Sequence, residues 1–377
     1  MLMVLPSPDI VVTKEQGVKI VILGLTKELL FYIMKLTRAF QKRRIVLQFL
    51  SGGTRTVGII DTLSDGFDRV TKRLWLILIP ILVDAGIWLG PKLSIRDLGQ
   101  RVIAALPNTS ELGTQYQQAL ELIQARLADL SARANILTML SMRFLGLPSL
   151  SGNLALERPP FGLAHHLIEI PTWPTLLGLA VLLTLLGLLI GCFCLSLIAQ
   201  EVREEELDIM YVLQVTWRSW SRLVKLLFVI LLFAAMLASG VSILSALLGI
   251  ISPELSWLTL NLFRWVALSV GVYVAIILFF TSRAIILDDM GIARSLWNSL
   301  NVVHRNFFAA IVFILLINVV QTGLWYIWRM LAINAIGTLI GIIGNAYVST
   351  GLVIASFIFY RDRFVAWQQA RFEEENR

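Results

Sequence analysis

One carboxylate stands well inside an apolar run of this chain: Asp84, in the stretch Leu74-Trp-Leu-Ile-Leu-Ile-Pro-Ile-Leu-Val-Asp-Ala-Gly-Ile-Trp-Leu-Gly90. A charge near the centre of a membrane helix costs about 2.5–3.5 kcal/mol on insertion scales, so an acid retained there is a proton or ion site or half of an ion pair. Arg264 and Arg329, near the ends of other apolar runs, are its candidate partners. Asn318, Gln321, Asn334 and Asn345 add polar groups to the last two apolar runs. Asp84, Arg264, Asn318, Gln321, Arg329 and Asn345 therefore form the candidate substrate or ion set. The same residues also admit a structural reading, because hydrogen bonds between membrane helices, worth about 0.6 kcal/mol on average, account for polar side chains without a substrate. Asp84, in a short run, would then lie within a turn or two of the outer surface and contact water or an indole. Arg73, Arg222 and Arg305 each close an amphipathic stretch at the entry to an apolar run, where a cation reaches lipid phosphates.

Other chemistries lack their residues. His165 and His166 are adjacent, so a helix would not point both imidazoles the same way, and no carboxylate at suitable spacing completes a metal set. Cys192 and Cys194, the only cysteines, exclude a disulfide framework and a four-cysteine zinc site and read as packing or lipid-facing residues. No phosphate-binding glycine loop, nucleophile elbow, HExxH motif or soluble pair of carboxylates occurs. The expectation is a protein without catalysis, metal or cofactor.

The elements that must position these residues follow from composition. The chain has 377 residues, 57% hydrophobic and 15% charged, against about 25% charged in soluble domains, too little charge to cover so large a core. The excess apolar residues must face lipid. A bilayer core of about 30 Å needs roughly 20 apolar residues in a helix. Six stretches qualify: Leu74–Gly90, Trp173–Ile198, Leu223–Ile251, Trp257–Ile286, Phe307–Leu331 and Ala335–Tyr360. The third and fourth, and the fifth and sixth, read as tight hairpins. Val18–Leu36 is apolar but carries Lys19, Lys27 and Glu28, which favours an amphipathic segment lying on the membrane surface or packed on the other elements. The N-terminus lacks the basic, apolar and small-residue pattern of a secretory signal. Of the 32 Lys and Arg, 23 fall in residues 1–73, 199–225, 283–306 and 361–377, which the spans place on one side. Positive charge marks the cytoplasmic side, so both termini are expected there, in a cell inner (plasma) membrane. The net charge of +7 thus reports orientation, and no nucleic-acid partner is expected. Trp75, Trp88, Trp173, Trp257, Trp325 and Trp328 fall near span ends, where indoles favour the headgroup level.

The expected fold is an all-α polytopic bundle of six transmembrane helices with amphipathic elbow helices, divided as follows. Residues 1–58 form a cytoplasmic N-terminal segment, 59–90 an elbow helix and the first span, and 91–172 an extra-cytoplasmic helical insertion. Residues 173–360 form the five-span bundle and 361–377 a cytoplasmic tail. The elbows Ile60–Arg73, Asp208–Arg222 and Met290–Arg305 precede the first, third and fifth spans, which suggests three repeated units. In the first, Ile60, Leu63, Phe67 and Val70 share a face; in the third, Ile292, Leu296, Leu300 and Val303 do. The acidic run Glu201, Glu204, Glu205, Glu206 and Asp208 opens the second, either pairing with basic groups or favouring the helix start. Within the insertion, Tyr116, Leu120, Ile123, Leu127, Leu130, Ala134 and Leu137 are spaced as a coiled-coil seam, predicting a helix of about 30 residues. Its partner is Leu93–Leu106, Leu140–Leu150, the membrane face or a second copy, and residues 147–153 and 158–162 have loop composition. Gly187, Gly191, Gly337, Gly341 and Gly344 provide small faces for close helix contact.

The stretch from Ser282 through Arg-Ala-Ile-Ile-Leu-Asp-Asp-Met-Gly-Ile-Ala-Arg-Ser-Leu-Trp-Asn-Ser-Leu-Asn-Val-Val-His-Arg-Asn-Phe-Phe308 resembles the membrane domain of bacterial glycerophosphoryl diester phosphodiesterases and of related stand-alone six-span proteins. A span ending, an acidic-Gly turn, an elbow helix with Trp, and Arg-Asn-aromatic entering the next span carry the likeness, over at most the last two thirds of the chain. The phosphodiesterase's catalytic barrel is absent here, so the resemblance implies architecture and no activity. The expected role is a non-catalytic accessory or scaffold, with lipid around it and a protein partner at 91–172 or a homo-oligomer; the alternative is a transporter or permease component with a polar site around Asp84.

Overall fold

The computed structural model describes residues 58–106, 114–141, 145–147, 149–150, 166–204 and 207–375. The N-terminal segment with Val18–Leu36, the loop at 158–162 and His165 lie outside the described residues. Among the described residues the fold is all-α apart from one three-residue parallel strand pair. Its helices are α1 (Ile59–Lys72), α2 (Leu78–Leu89, entered through a 3-10 turn at Leu74–Ile77), α3 (Arg96–Ala104), α4 (Thr114–Arg133), α5 (Trp173–Arg203), α6 (Ile209–Ile251), α7 (Pro253–Leu287), α8 (Ile292–Arg305), α9 (Phe307–Leu331) and α10 (Ala335–Glu375). Five of them, α5, α6, α7, α9 and α10, are long and apolar enough to cross a membrane, so the chain is that of a multi-pass membrane protein. The first expected span is shorter than the rest, because the chain turns from 3-10 to α geometry at Ile77 and stops at Gly90.

Helix ends follow capping chemistry. Thr172 accepts from the Thr175 amide before α5, Asp208 from Met210 and Tyr211 before α6, and Asn334 from Gly337 at the start of α10. Asp208 thus serves the helix start, one of the two roles expected of the acidic run. Pro253 begins α7 one residue after α6 ends, so the α6–α7 turn is as tight as expected.

Three helices meet at one end of the bundle. The last turns of α5, α7 and the middle of α10 are buried on nearly all sides, from Cys194 to Ala199, Phe280 to Leu287 and Leu352 to Tyr360. Phe359 stacks on Phe313 of α9 at 4.3 Å and on Phe280 of α7 at 5.4 Å. Cys192 and Cys194 are buried in this core. The elbow helices lie against these central helices. On α1, Thr62, Gly66 and Val70 are buried and Gly66 approaches the Gly351 carbonyl of α10 so closely that a Cβ would sit 2.5 Å from it. Ile60, expected on that face, is 62% exposed, because the close approach selects small residues for the contact line and rotates Ile60 outward. On α8, Ser295, Asn298, Ser299, Val302 and Val303 are buried, and Ser299 donates to the Ile277 carbonyl of α7 at 2.6 Å. The second elbow is no separate helix: it continues into α6 without a break, and Trp220 donates to the Leu185 carbonyl of α5 at 3.0 Å.

The insertion divides in two. Its outer part pairs β1 (Lys92–Ser94) with β2 (Leu167–Glu169) beside α3 and α4. Within the described residues α4 runs for 20 residues and stops before the seam does; Asn135 ends it by accepting from Leu137 and opening a 3-10 turn, Ile136–Leu140. Its packing partner is α3, where a Cβ on Gly99 would sit 2.3 Å from that of Ser131. The remainder enters the bundle. The Leu140 carbonyl lies against Gly187 halfway along α5, Gly146 against Arg283 and Val353, and Leu150 against Gly341. Of the glycines expected to pack spans together, Gly187 and Gly341 thus receive this segment, while Gly341 and Gly344 also meet Trp328 of the neighbouring span α9.

Candidate functional site

Irregular backbone between apolar helices has no water to satisfy its amides and carbonyls, so the protein itself must supply partners. Residues 145–147 and 149–150 are such a backbone, with Leu145, Leu147, Ser149 and Leu150 all buried. Two charged side chains meet it, one at each end of the segment.

Asp84 meets one end. It is 2% exposed, accepts from the Leu150 amide at 2.9 Å through Oδ2 and from the Ser149 hydroxyl through Oδ1. Trp88, Leu150 and Ile342 form a buried apolar cluster here, with Trp325 and Trp328 packed against it. Trp88 is therefore interior and not at the protein's surface, because the Leu150 segment covers it. Asp84 does not sit at a wet outer surface either; its carboxylate takes the place that water would take for the Ser149–Leu150 turn.

Arg283 meets the other end. It is 1% exposed, four residues before the end of α7. Its Nε donates to Ser356 Oγ at 3.0 Å, Nη1 to Ser282 Oγ at 2.7 Å and the Phe279 carbonyl at 3.1 Å, and Nη2 to the Leu145 carbonyl at 3.2 Å. The guanidinium lies 4.0 Å from the Phe279 ring centroid. Gly146 has a left-handed backbone, φ 87°, and a Cβ there would sit 2.8 Å from Nη2, so only glycine fits both demands. Among the described residues no carboxylate pairs with Arg283: its ligands are neutral oxygens and a π face. Sequence reading placed Arg283 among cytoplasmic cations and missed it. A signal existed, since Arg283 lies before the last turn of an apolar run that ends in Leu287, but only the packing of α7 against α10 and Leu145 shows that both sides of that turn are covered.

The buried end of the bundle closes with ion pairs. Arg69 of α1 bonds Glu204 at 2.8 Å and Arg73 bonds Glu201 at 2.7 Å, so the acidic run also pairs with basic groups. Arg218 and Arg222 both bind Asp289, at 2.8 and 2.6 Å. Glu204 and Asp289 terminate α5 and α7 with left-handed φ of 62° and 48°, a strained choice for non-glycine residues that turns each carboxylate toward its arginines. Arg69's hydrogen bond, then its charge and that of Arg361, hold the Glu204 carboxyl below the usual range. Burial pushes the Asp288 carboxyl up, partly offset by the hydrogen bond from the Tyr360 hydroxyl at 3.0 Å.

The sequence-chosen set is spread over α2, α7, α9 and α10. Arg264 and Arg329 are exposed, and the Arg329 guanidinium lies over the Trp325 ring, 5.4 Å from its centroid. Asn318 donates back to the Ile314 carbonyl of its own helix at 2.8 Å. Gln321 and Asn345 lie on α9 and α10, Gln321 with a buried Nε2 that has no hydrogen-bond partner and Asn345 7% exposed. Of the interface cations, Arg73 and Arg222 are held in ion pairs and Arg305 is exposed at the end of α8. Among the described residues no group of three metal-binding side chains forms. Compared with family models, curated proteins and solved structures, the chain shows no match.

Proposed function

We propose that the protein is a non-catalytic accessory or scaffold of a bacterial inner membrane, and that α4 docks an amphipathic helix of a protein partner outside the cytoplasm. The observation that carries this reading is the open half of the α4 seam. Leu120, Leu127 and Ala134 are half-buried, whereas Ile123 is 50% and Leu130 66% exposed, with Leu122 beside them at 61%. Large aliphatic side chains at coiled-coil spacing on a polar helix are a docking surface for a second helix. The use of Asp84 supports a scaffold over a transporter, since its carboxylate already accepts from Ser149 and Leu150.

The proposed frame has six crossings, the sixth being Leu74–Leu89, which at helical rise spans roughly 25 Å and needs a locally thinned bilayer. Both termini are cytoplasmic. Three repeated units of elbow and two spans are supported by burial in register. Thr62 and Gly66 of α1, Val212 and Thr216 of α6, and Ser295 and Ser299 of α8 occupy matching buried positions. Each elbow packs on the last span of the unit before it, and α1 on α10 closes the circle. In two units the acid ending the second span, Glu204 or Asp289, holds arginines of that unit's own elbow. This is the architecture that the resemblance to phosphodiesterase membrane domains implies.

Affinity purification in gentle detergent followed by mass spectrometry tests the function. A stoichiometric protein partner that is lost with Ile123→Asp and Leu130→Asp is the expected result. A lone homo-oligomer that carries a proton-coupled flux abolished by Asp84→Asn would overturn it in favour of transport. Orientation has its own check: an impermeant thiol reagent added outside the cell labels Gln118→Cys and spares Met210→Cys.

A further inference from the structure

Beside Arg283 the bundle leaves a cleft of about 170 Å³ between α5, α6 and α7 and the inserted segment. Leu188, Leu226, Leu227 and Leu278 give it apolar walls, and its remaining boundary includes Leu145 and Ser282. Those last two residues are ligands of Arg283, through the Leu145 carbonyl and the Ser282 hydroxyl. The cleft therefore has a largely apolar lining and shares Leu145 and Ser282 with the shell of a buried cation.

We propose that this cleft binds the free end of a fatty acid, with the acyl chain along the leucine walls and the carboxylate at the Ser282 end, where it neutralises Arg283. Three observations carry the assignment. Among the described residues the buried guanidinium faces only neutral oxygens and a ring, so no neighbouring carboxylate there compensates its charge, and an anion beside it gains in a low-dielectric surrounding. The walls are apolar and lie among membrane helices, so the compound that reaches them arrives through lipid and carries a hydrocarbon body. The volume is close to that of a cavity of about 150 Å³ that lodges one benzene ring, which suits a segment of a single chain and is too small for a phospholipid headgroup with two chains. The same charge that holds the Leu145 carbonyl then couples occupancy of the cleft to the position of the inserted segment.

Equilibrium binding of radiolabelled palmitate to the purified full-length protein in detergent tests this, with hexadecanol as a neutral competitor. The wild type is expected to bind palmitate saturably at one site, with hexadecanol weaker by at least about tenfold, the scale of a charge-assisted hydrogen bond. Leu227→Trp, which fills the cleft away from the ligands of Arg283, is expected to abolish binding with an unchanged thermal midpoint; Leu278→Phe gives the same result from the facing wall. Arg283→Gln removes the preference for palmitate over hexadecanol. Binding that is equal in the wild type and both cleft-filling variants, equal competition by hexadecanol, or native mass spectrometry that finds a phospholipid displaced by Leu227→Trp would each overturn the proposal.

Discussion

Helices α6 and α10 are both membrane-length, yet they live in opposite surroundings. The most apolar window of α6 has mean hydropathy 2.6 and none of it is buried, whereas that of α10 has mean hydropathy 1.8 and 78% of it is buried. The less apolar helix is the interior one. In water the order would be the reverse; in lipid the exposed surface must be hydrocarbon, while an interior helix can carry Thr338, Asn345, Ser349, Thr350 and Ser356 wherever a neighbour lies close. Glycine shows the same contrast. Gly66 and Gly351 are contact points where a Cβ would clash, whereas Gly240 on α6 and Gly271 on α7 have nothing within 4 Å.

The sharpest way to break the comparison is to enlarge both kinds of glycine. Gly66→Leu drives a side chain into the Gly351 carbonyl and the Ala355 backbone, and should destabilise the fold by about 3 kcal/mol or more, whereas Gly240→Leu should leave the thermal midpoint in detergent unchanged. Equal losses would mean that α6 is as enclosed as α10. Next in size, Asp84→Ala leaves the Leu150 amide and the Ser149 hydroxyl without their acceptor and should lower stability by about 2 kcal/mol, read from the same thermal transition. Asp84→Asn, which keeps one acceptor, should lose less. The smallest effect belongs to the exposed latch. Because the Glu204 carboxyl is held below its usual range, its contribution is complete above the ordinary glutamate range and disappears as pH falls through the lowered value. The thermal midpoint of Glu204→Gln should therefore trail the wild type slightly at pH 7 and match it in strong acid, within the small range of exposed ion pairs.

Much of the frame was legible in the chain. Apolar length located the five long helices, the single Ser252–Pro253 step located the α6–α7 turn, and the closing basic residues of the elbows located α1 and α8. The seam of α4 was legible as periodicity, but its end was not, because the break at Ala134–Asn135 depends on the Asn135 side chain serving both Leu137 and the Leu93 amide across the insertion. The candidate site was half legible. Asp84 stood out as a charge with no local explanation; Arg283 did not, since arginine near the end of an apolar run is the ordinary sign of an interface.

By itself the sequence determined what each segment can tolerate: which runs can face hydrocarbon, which turns can be tight, where caps end a helix. That information is local, set by side-chain chemistry within a few residues. Only the tertiary structure decided which apolar helices are interior and that residues 145–147 and 149–150 lie between them. It thereby decided that Asp84 and Arg283, 199 positions apart in the numbering, hold the same short stretch of backbone. The reason is physical: hydropathy is the same whether a leucine meets lipid or another leucine, and a buried charge is explained only by the partner that the fold carries to it.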